Sequence, residues 1–210
     1  KGSIKFKNIE LLNADSQKLQ KYRGSKIGMI FQEPMMSLNP LHTVNKQIQE
    51  SILIHNKTPL NKIKKRVLEL INLVGLNDSE KYLYSYPHQL SGGQRQRVMI
   101  AIAIANNPDL LIADEPTTAL DVTIQIQILL LLKKIQQKLG MSILLITHDL
   151  GIVKFMAKNV YIMYKAKLVE FGKVKNVLSA PQNIYTKKLI NAQPINLKRK
   201  KNFKPGKIIL

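Results

Sequence analysis

Three groups of polar residues stand where apolar segments of this sequence end. Gln32 follows IGMIF, the pair Asp114 and Glu115 follows LLIA, and His148 follows SILLIT. In a parallel sheet, ligands bind at the carboxyl ends of the strands. The three groups therefore predict one binding site at one edge of a sheet, although each group alone is also compatible with a plain strand terminus.

The adjacent carboxylates of Asp114 and Glu115 suggest a chemistry for this site. Neighbouring side chains on an extended chain point in opposite directions. That geometry would allow Asp114 to support Mg²⁺ while Glu115 polarises an attacking water molecule. A solvated strand end before the turn residues PTT is the alternative interpretation of the pair alone.

The segment LSGGQRQR, residues 90–97, is the second candidate feature and precedes the apolar run VMIAIAIA. Ser91 is placed to cap a helix, and Gly92 and Gly93 permit close approach of the backbone. Exposed amides at a helix start favour an anion such as a phosphate. The segment thus predicts a phosphate contact, with a capped glycine turn as the alternative.

The elements that would position these residues alternate between strands and helices. Apolar strands are predicted at residues 27–31, 110–113 and 142–147, with helices following LSGGQ and over residues 122–139. Strands that are apolar throughout and alternate with helices predict a parallel sheet covered on both faces.

Other patterns predict a helical insert and two hairpins. Between residues 40 and 90, apolar residues recur at spacings of three and four, which is typical of amphipathic helices. The set comprises Val44, Ile48, Ile52, Ile63, Val67, Leu70, Ile71 and Val74. The opening segment GSIKFKNIELL and the later segment VYIMYKAKLVEFG each favour a two-stranded hairpin.

Composition limits the class of protein. The chain has 210 residues, 45% hydrophobic and 22% charged, and no apolar run long enough to span a membrane. The absence of cysteine excludes disulfides and thiolate metal sites. The net charge of +20 is spread over helical segments without stacking aromatics, so we do not expect a nucleic-acid partner. A coding bias towards lysine, or attraction to an anionic membrane face, would account for this charge equally well.

The order of these motifs resembles the ATP-binding cassette of ABC transporters. Gln32 after a strand is followed by LSGGQ, LLIADEP, ALD and a strand ending in His148, and the resemblance covers about residues 2–194. The segments FQEPMMSLNPLHTV, DEPTTALDVTIQIQIL and PQNIYTKKLINAQP are similar to the peptide-importer branch of dipeptide, oligopeptide and microcin C type, and especially to the first cassette of tandem peptide-import ATPases. That branch commonly has His-Pro where this chain has Asn183 and Ile184.

The resemblance implies an α/β fold of the P-loop NTPase type, recombinase-like, with a mostly parallel sheet and an inserted helical subdomain. The nucleotide-binding core would comprise residues 1–39 and 91–170, and the helical subdomain residues 40–90. Residues 171–195 would be a C-terminal extension, and residues 196–210 a basic linker at which a second cassette could begin.

The resemblance also implies roles at the sheet edge. Gln32 would be the Q-loop glutamine, contacting Mg²⁺ and the water. Asp114 would complete the Mg²⁺ shell, Glu115 would be the general base, and His148 would be the switch histidine at the γ-phosphate.

Further roles fall on the signature and the D-loop. The signature would consist of Ser91, Gly92, Gly93 and Gln94, closing over the γ-phosphate of a nucleotide held by a partner cassette. Asp121 would be the D-loop aspartate across the dimer interface, and from the residues alone it is equally a helix cap.

The implied function is that of the ATP-binding subunit of a peptide importer, a transport-coupled ATP hydrolase using ATP and Mg²⁺. It would lie peripherally at the cytoplasmic face of the inner (plasma) membrane. Its expected partners are a second cassette, transmembrane permease subunits and, indirectly, a peptide-binding protein. The second cassette would be an identical chain, a different chain or the other half of a tandem protein. A non-catalytic remnant that only lends its signature to a partner, and a nucleic-acid-associated ABC ATPase, are the alternatives.

Two departures from the family pattern occur. The phosphate loop G-x-x-x-x-G-K-[ST] is not found in these residues. We therefore expect an N-terminally truncated cassette, lacking that loop and the first strands, which binds Mg-ATP no tighter than millimolar by itself. In addition, Ala166 stands where the family usually has Gly in a hairpin turn, which would cost about 1 kcal/mol if the position needs a positive φ.

Overall fold

The computed structural model describes residues 2–33, 37–55 and 59–192. Contacts divide the chain into two compact units, Lys1–Ile146 and Thr147–Leu210. The predicted linker over residues 196–210 lies outside the described residues.

The first unit contains five strands, six α-helices and a short 3₁₀ helix (Pro87–Gln89) among its described residues. The strands are β1 (Lys5–Phe6), β2 (Ile9–Glu10), β3 (Ile27–Ile30), β4 (Leu110–Asp114) and β5 (Ser142–Ile146). The helices are α1 (Ser16–Gln20), α2 (Val44–Leu53), α3 (Leu60–Leu73), α4 (Ser79–Tyr84), α5 (Gly92–Ala103) and α6 (Val122–Leu139). The first two strands form the predicted hairpin.

The central sheet is parallel and has the strand order β3-β4-β5. Ile27 pairs with Leu110, which pairs in turn with Ser142. Because the three strands run in the same direction, their carboxyl ends meet at one edge of the sheet. β3 and β5 each end one residue earlier than expected, and β4 extends to include Asp114.

The two faces of this sheet differ in burial. One face is fully buried at Ile30, Leu111 and Ala113. The other face exposes large apolar side chains, namely Met29, Leu144 and Ile146, at 37%, 48% and 45%. The prediction that helices cover both faces is therefore wrong for the part of the chain that the structure describes.

The helical insert has the predicted core. All eight residues of the apolar set are at most 4% exposed. Helices α2, α3 and α4 contact one another, and α2 and α3 also contact α5. The three- and four-residue spacing therefore identified the buried faces of α2 and α3 correctly.

The second unit contains the predicted hairpin near the end of the chain. Its elements are α7 (Leu150–Met156), β6 (Asn159–Tyr164), β7 (Lys167–Lys173), α8 (Val174–Ser179) and α9 (Ile184–Asn191). β6 and β7 pair antiparallel. At the turn, Lys165 and Ala166 have φ values of 47° and 58°. Ala166 thus occupies the left-handed region, which is the condition for the expected strain.

The segment that follows the hairpin is held to it by polar contacts. The carboxylate of Glu170 accepts hydrogen bonds from the amides of Gln182 and Asn183 at 2.8 and 3.1 Å. The Asn183 side chain caps α9 by accepting from the Tyr185 amide at 2.8 Å. The departure from the family pattern at Asn183 therefore supplies a helix cap.

None of the described helices is both long and apolar enough to cross a bilayer.

Candidate active site

Glu115 has an unusual backbone conformation. It follows β4 directly and has a φ of 44°, in the left-handed region. Its amide still donates to the carbonyl of Ile146 at 3.0 Å, which continues the β4–β5 pairing. A positive φ is uncommon for a residue other than glycine, and such strain clusters at functional sites. The extended geometry predicted for the Asp114–Glu115 pair is therefore wrong at Glu115, where the chain turns.

The Glu115 carboxylate contacts the end of the neighbouring strand. Gln32 Nε2 donates a hydrogen bond to Glu115 Oε2 at 3.1 Å, across 83 residues of sequence. Thr118 Oγ1 donates to the same oxygen at 2.8 Å. Two donors on one oxygen restrict the rotamer of the carboxylate. The structure thus brings Gln32 and Glu115 together at the carboxyl edge of the sheet.

Oxygen atoms suitable for Mg²⁺ are present at this edge. Asp114 is half-buried at the last position of β4 and pairs in register with Ile146. With the Nε2 of Gln32 bonded to Glu115, Gln32 would offer its amide oxygen. Mg²⁺ is usually held by one or two protein oxygens together with phosphate and water. The donor set therefore fits Mg²⁺, whereas no cluster of three or more acidic, His or Cys residues occurs within the described ranges.

The signature segment forms the start of α5. Ser91 Oγ accepts from the Gln94 amide at 3.3 Å, and Gln94 Oε1 accepts from the Ser91 amide at 2.8 Å. Gln94 Nε2 also donates to the hydroxyl of Tyr82 at 3.2 Å. Both polar ends of the Gln94 side chain are therefore engaged within the chain. The serine-to-glutamine spacing of a reciprocal cap is the sequence signal for this arrangement.

The signature glycines lie against the start of α6. A Cβ atom on Gly93 would lie 2.7 Å from Ile124 Cγ2, and one on Gly92 would lie 3.5 Å from Leu120 Cδ2. Asp121 is exposed and caps α6 by accepting from the Ile124 amide at 2.9 Å. Close packing of α5 on α6 therefore requires glycine at residue 93, and Asp121 fixes where α6 begins.

Two further residues of α5 link the signature to its surroundings, and sequence reasoning missed both. Gln96 is 2% exposed, and its Nε2 donates to the carbonyl of Pro116 at 2.6 Å. Arg97 donates to the Val74 carbonyl at 2.6 Å and to Gln127 Oε1 at 3.2 Å, and burial lowers the pKa of its guanidinium.

A sequence signal for Gln96 does exist. Gln96 precedes the buried Met99 and Ile100 by three and four residues, and residues at this spacing share one face of a helix. A polar residue on a buried helical face must find a hydrogen-bond partner, so its burial implies a specific contact.

His148 belongs to the second unit, between β5 and α7, and is exposed. Its neighbour Asp149 caps α7 by accepting from the amides of Gly151 and Ile152. The role of His148 at a γ-phosphate stays a prediction.

This fold and this set of residues define an ATP-binding cassette, with a helical insert, a helix-start signature and an acidic strand end. The chain belongs to the ABC transporter family, whose family model matches residues 1–118.

Curated relatives share about half of their matched residues with this chain. It is 53% identical over 193 residues to the peptidoglycan transport ATP-binding protein YejF of Agrobacterium fabrum and 49% identical over 193 residues to the dipeptide transport ATP-binding protein DppD of Bacillus subtilis. Each match covers 92% of this chain but only 35% and 58% of the relatives, so the chain spans between a third and three fifths of their length.

Solved structures have the same fold. The dimeric ATP-binding cassette MJ0796 in a post-hydrolysis state, bound to ADP and Pi, matches with a TM-score of 0.73 and 32% identity, over 83% of this chain and 74% of that chain. The structure of cbiO1 from Clostridium perfringens, part of the transporter complex cbiONQ, matches with a TM-score of 0.75 and 29% identity, over 94% and 74% of the two chains. The comparisons confirm the predicted family and α/β cassette fold, and the relatives' names agree with the peptide-importer branch.

Proposed function

We propose that this chain is part of the ATP-hydrolysing subunit of a peptide ABC importer and works as a pair with a second cassette. The observation that carries the proposal is the hydrogen bond between Gln32 and Glu115. It joins the end of β3 to the left-handed turn after β4, where hydrolysis would occur. The names of the curated relatives support peptide transport as the process that the hydrolysis drives.

In this proposal Glu115 is the general base. Its carboxylate, held at Oε2 by Gln32 and Thr118, would take a proton from the attacking water. Gln32 and Asp114 would hold Mg²⁺, and His148 would contact the γ-phosphate. When bound, Mg²⁺ neutralises charge that develops on the transferred phosphoryl group.

The signature would act on a nucleotide held by the partner cassette. The first-turn amides of a helix have no acceptor within the helix, and they carry partial positive charge. Gly92 and Gly93 place such amides at the start of α5, beside the Ser91 hydroxyl. These groups would bind the γ-phosphate, with Asp121 at the interface between the two cassettes.

The remaining partners follow from the same proposal. Transmembrane permease subunits would receive the motion of the cassette pair, and a peptide-binding protein would deliver the solute. The chain would then act peripherally at the cytoplasmic face of the inner (plasma) membrane.

The test is ATP hydrolysis by the reconstituted importer with Glu115→Gln in this chain. We expect the rate at its site to fall by about 100-fold or more, because general bases contribute about 10²–10⁴-fold. Glu69→Gln is the matched control, since Glu69 is a half-exposed carboxylate on α3 that pairs with Arg66. An unchanged rate in Glu115→Gln would refute the assignment. If changes at Ser91 then still abolished hydrolysis, the chain would only lend its signature to its partner.

A further inference from the structure

We infer that Gln96 is a positioning residue that couples the signature helix to the general base of the same chain. The inference rests on the proposed function for the roles of the two ends that Gln96 connects. The contact itself is a feature of the described structure and can be tested without nucleotide.

The first observation is where Gln96 bonds. It lies on α5, two residues after the signature, and is 2% exposed. Its Nε2 donates to the carbonyl of Pro116 at 2.6 Å, and Pro116 directly follows Glu115. Gln96 therefore bonds to the turn that sets the position of the Glu115 backbone.

The second observation is the structure of that turn. The amide of Thr118 donates to the carbonyl of Glu115 at 3.2 Å, and the Thr118 hydroxyl holds the Glu115 carboxylate. Pro116 is buried and, as a proline, has no amide hydrogen to donate. Its carbonyl is thus the backbone group through which the neighbouring helix holds this residue. A buried carbonyl that loses its donor is costly, so the turn would rearrange.

The third observation is that α6 holds the same turn. Gln125 Nε2 donates to the hydroxyl of Thr117 at 3.2 Å, and Thr117 is 5% exposed. Successive residues of the turn are therefore bonded to α5 and to α6. These two helices also meet closely at Gly93 and Ile124.

These contacts connect the start of α5, the start of α6 and the turn that holds Glu115. The start of α5 would face the nucleotide of the partner cassette, whereas Glu115 would face the nucleotide of its own cassette. A displacement of α5 as the signature closes on the partner's nucleotide would move the Pro116 carbonyl, and Glu115 with it. Gln96 would thereby couple the two nucleotide sites of the cassette pair, because closure of the signature at one site would change the position of Glu115 at the other. This is a coupling through a contiguous hydrogen-bonded path.

The first experiment measures amide hydrogen exchange of the chain carrying Gln96→Met, which keeps the side-chain length and removes the donor. We expect the amides of Glu115 and of residues 117–120 to exchange about tenfold faster, because their turn loses an anchoring hydrogen bond. Gln47→Met is the matched control, since Gln47 is also a buried glutamine and bonds to Asn39 and His42 in the helical insert. This control should leave exchange at residues 115–120 unchanged.

The second experiment measures hydrolysis by the reconstituted importer. Gln96→Met should lower kcat about tenfold or more with little change in the KM for ATP, because it displaces the base and not the nucleotide. In a Glu115→Gln background it should have no further effect, whereas a general loss of stability would add to that of Glu115→Gln.

Either of two results would overturn the inference. One is unchanged exchange at residues 115–120 in Gln96→Met, and the other is full additivity with Glu115→Gln. If the unmodified importer did not hydrolyse ATP, the proposed function would fail, but hydrogen exchange would still decide whether Gln96 positions the turn.

Discussion

The variant Gly93→Ala, which adds a methyl group, tests how closely α5 packs on α6. Its Cβ would lie 2.7 Å from Ile124 Cγ2, whereas the Cβ of an alanine at residue 92 would lie 3.5 Å from Leu120 Cδ2. Ordinary carbon contacts are about 3.5–4.0 Å, so Gly93→Ala must separate the two groups by about 0.8 Å. Ile124 cannot easily turn its methyl away, since a β-branched side chain in a helix has one strongly preferred rotamer. The helices themselves must therefore move.

The expected magnitude follows from two opposing effects. Replacing glycine by alanine in a helix raises the free energy of unfolding by about 0.5–1 kcal/mol. Overpacking a close contact costs about 1–3 kcal/mol. We expect Gly92→Ala to leave the free energy of unfolding unchanged or raised by up to about 1 kcal/mol. We expect Gly93→Ala to be less stable than Gly92→Ala by about 1–3 kcal/mol.

Urea denaturation of the two single variants measures this difference. Ile124→Ala removes the Cγ2 atom in question, so Gly93→Ala should cost less stability in the Ile124→Ala background than in the unmodified chain. The double-mutant cycle should give a favourable coupling of about 0.5 kcal/mol or more. Equal stability of the two glycine variants, or a coupling of zero, would refute a steric requirement for glycine at residue 93.

Two further predictions concern the second unit. Ala166→Gly should raise the free energy of unfolding by about 1 kcal/mol and the Tm by about 2–4 °C, because the residue has a φ of 58°. Its control Ala157→Gly, at a φ of −103°, should not stabilise, and a destabilised Ala166→Gly would contradict the reasoning. The amide of Gln182 holds the pKa of the Glu170 carboxyl below its ordinary value of 4.5. A carboxyl with a lowered folded-state pKa contributes stability above its unfolded pKa, and this contribution is lost as the pH falls through the folded pKa. Glu170→Gln should therefore reduce the loss of unfolding free energy as the pH falls, as measured by urea midpoints between about pH 6 and about pH 3. The same pH dependence in the variant and the unmodified chain would contradict this prediction.

Local patterns in the sequence predicted much of the fold. Helix α6 begins after Asp121 and ends before Gly140, as predicted. The prediction succeeded because a side-chain cap and a left-handed glycine act within one turn of the helix. The apolar spacing of the insert predicted its core because burial follows helical period. The open face of the sheet was not predictable in this way, since strands that are apolar throughout do not reveal which face is covered.

The candidate site was only partly predictable. The rule that ligands bind at the carboxyl ends of strands predicted that Gln32 and Glu115 share one edge of the sheet. No local pattern predicts the left-handed φ of Glu115, whose amide bonds to Ile146 in the neighbouring strand. The contact between Gln96 and Pro116 joins two segments of chain 20 residues apart and depends on how α5 packs. Both features arise from tertiary pairing, and the helical spacing of Gln96 indicates that it is buried but not which group it bonds.

The cap at the start of α5 uses only part of the hydrogen-bonding capacity of the Ser91 hydroxyl. A hydroxyl has one hydrogen to donate and lone pairs to accept with, and the Gln94 amide already occupies one lone pair on the side facing the helix. The hydrogen and the second lone pair remain, so Ser91 can still donate to an approaching molecule. The amides of the first helical turn can only donate, so an incoming group that is rich in lone pairs matches both kinds of donor. The bond that begins the helix therefore leaves a set of donors at the helix end.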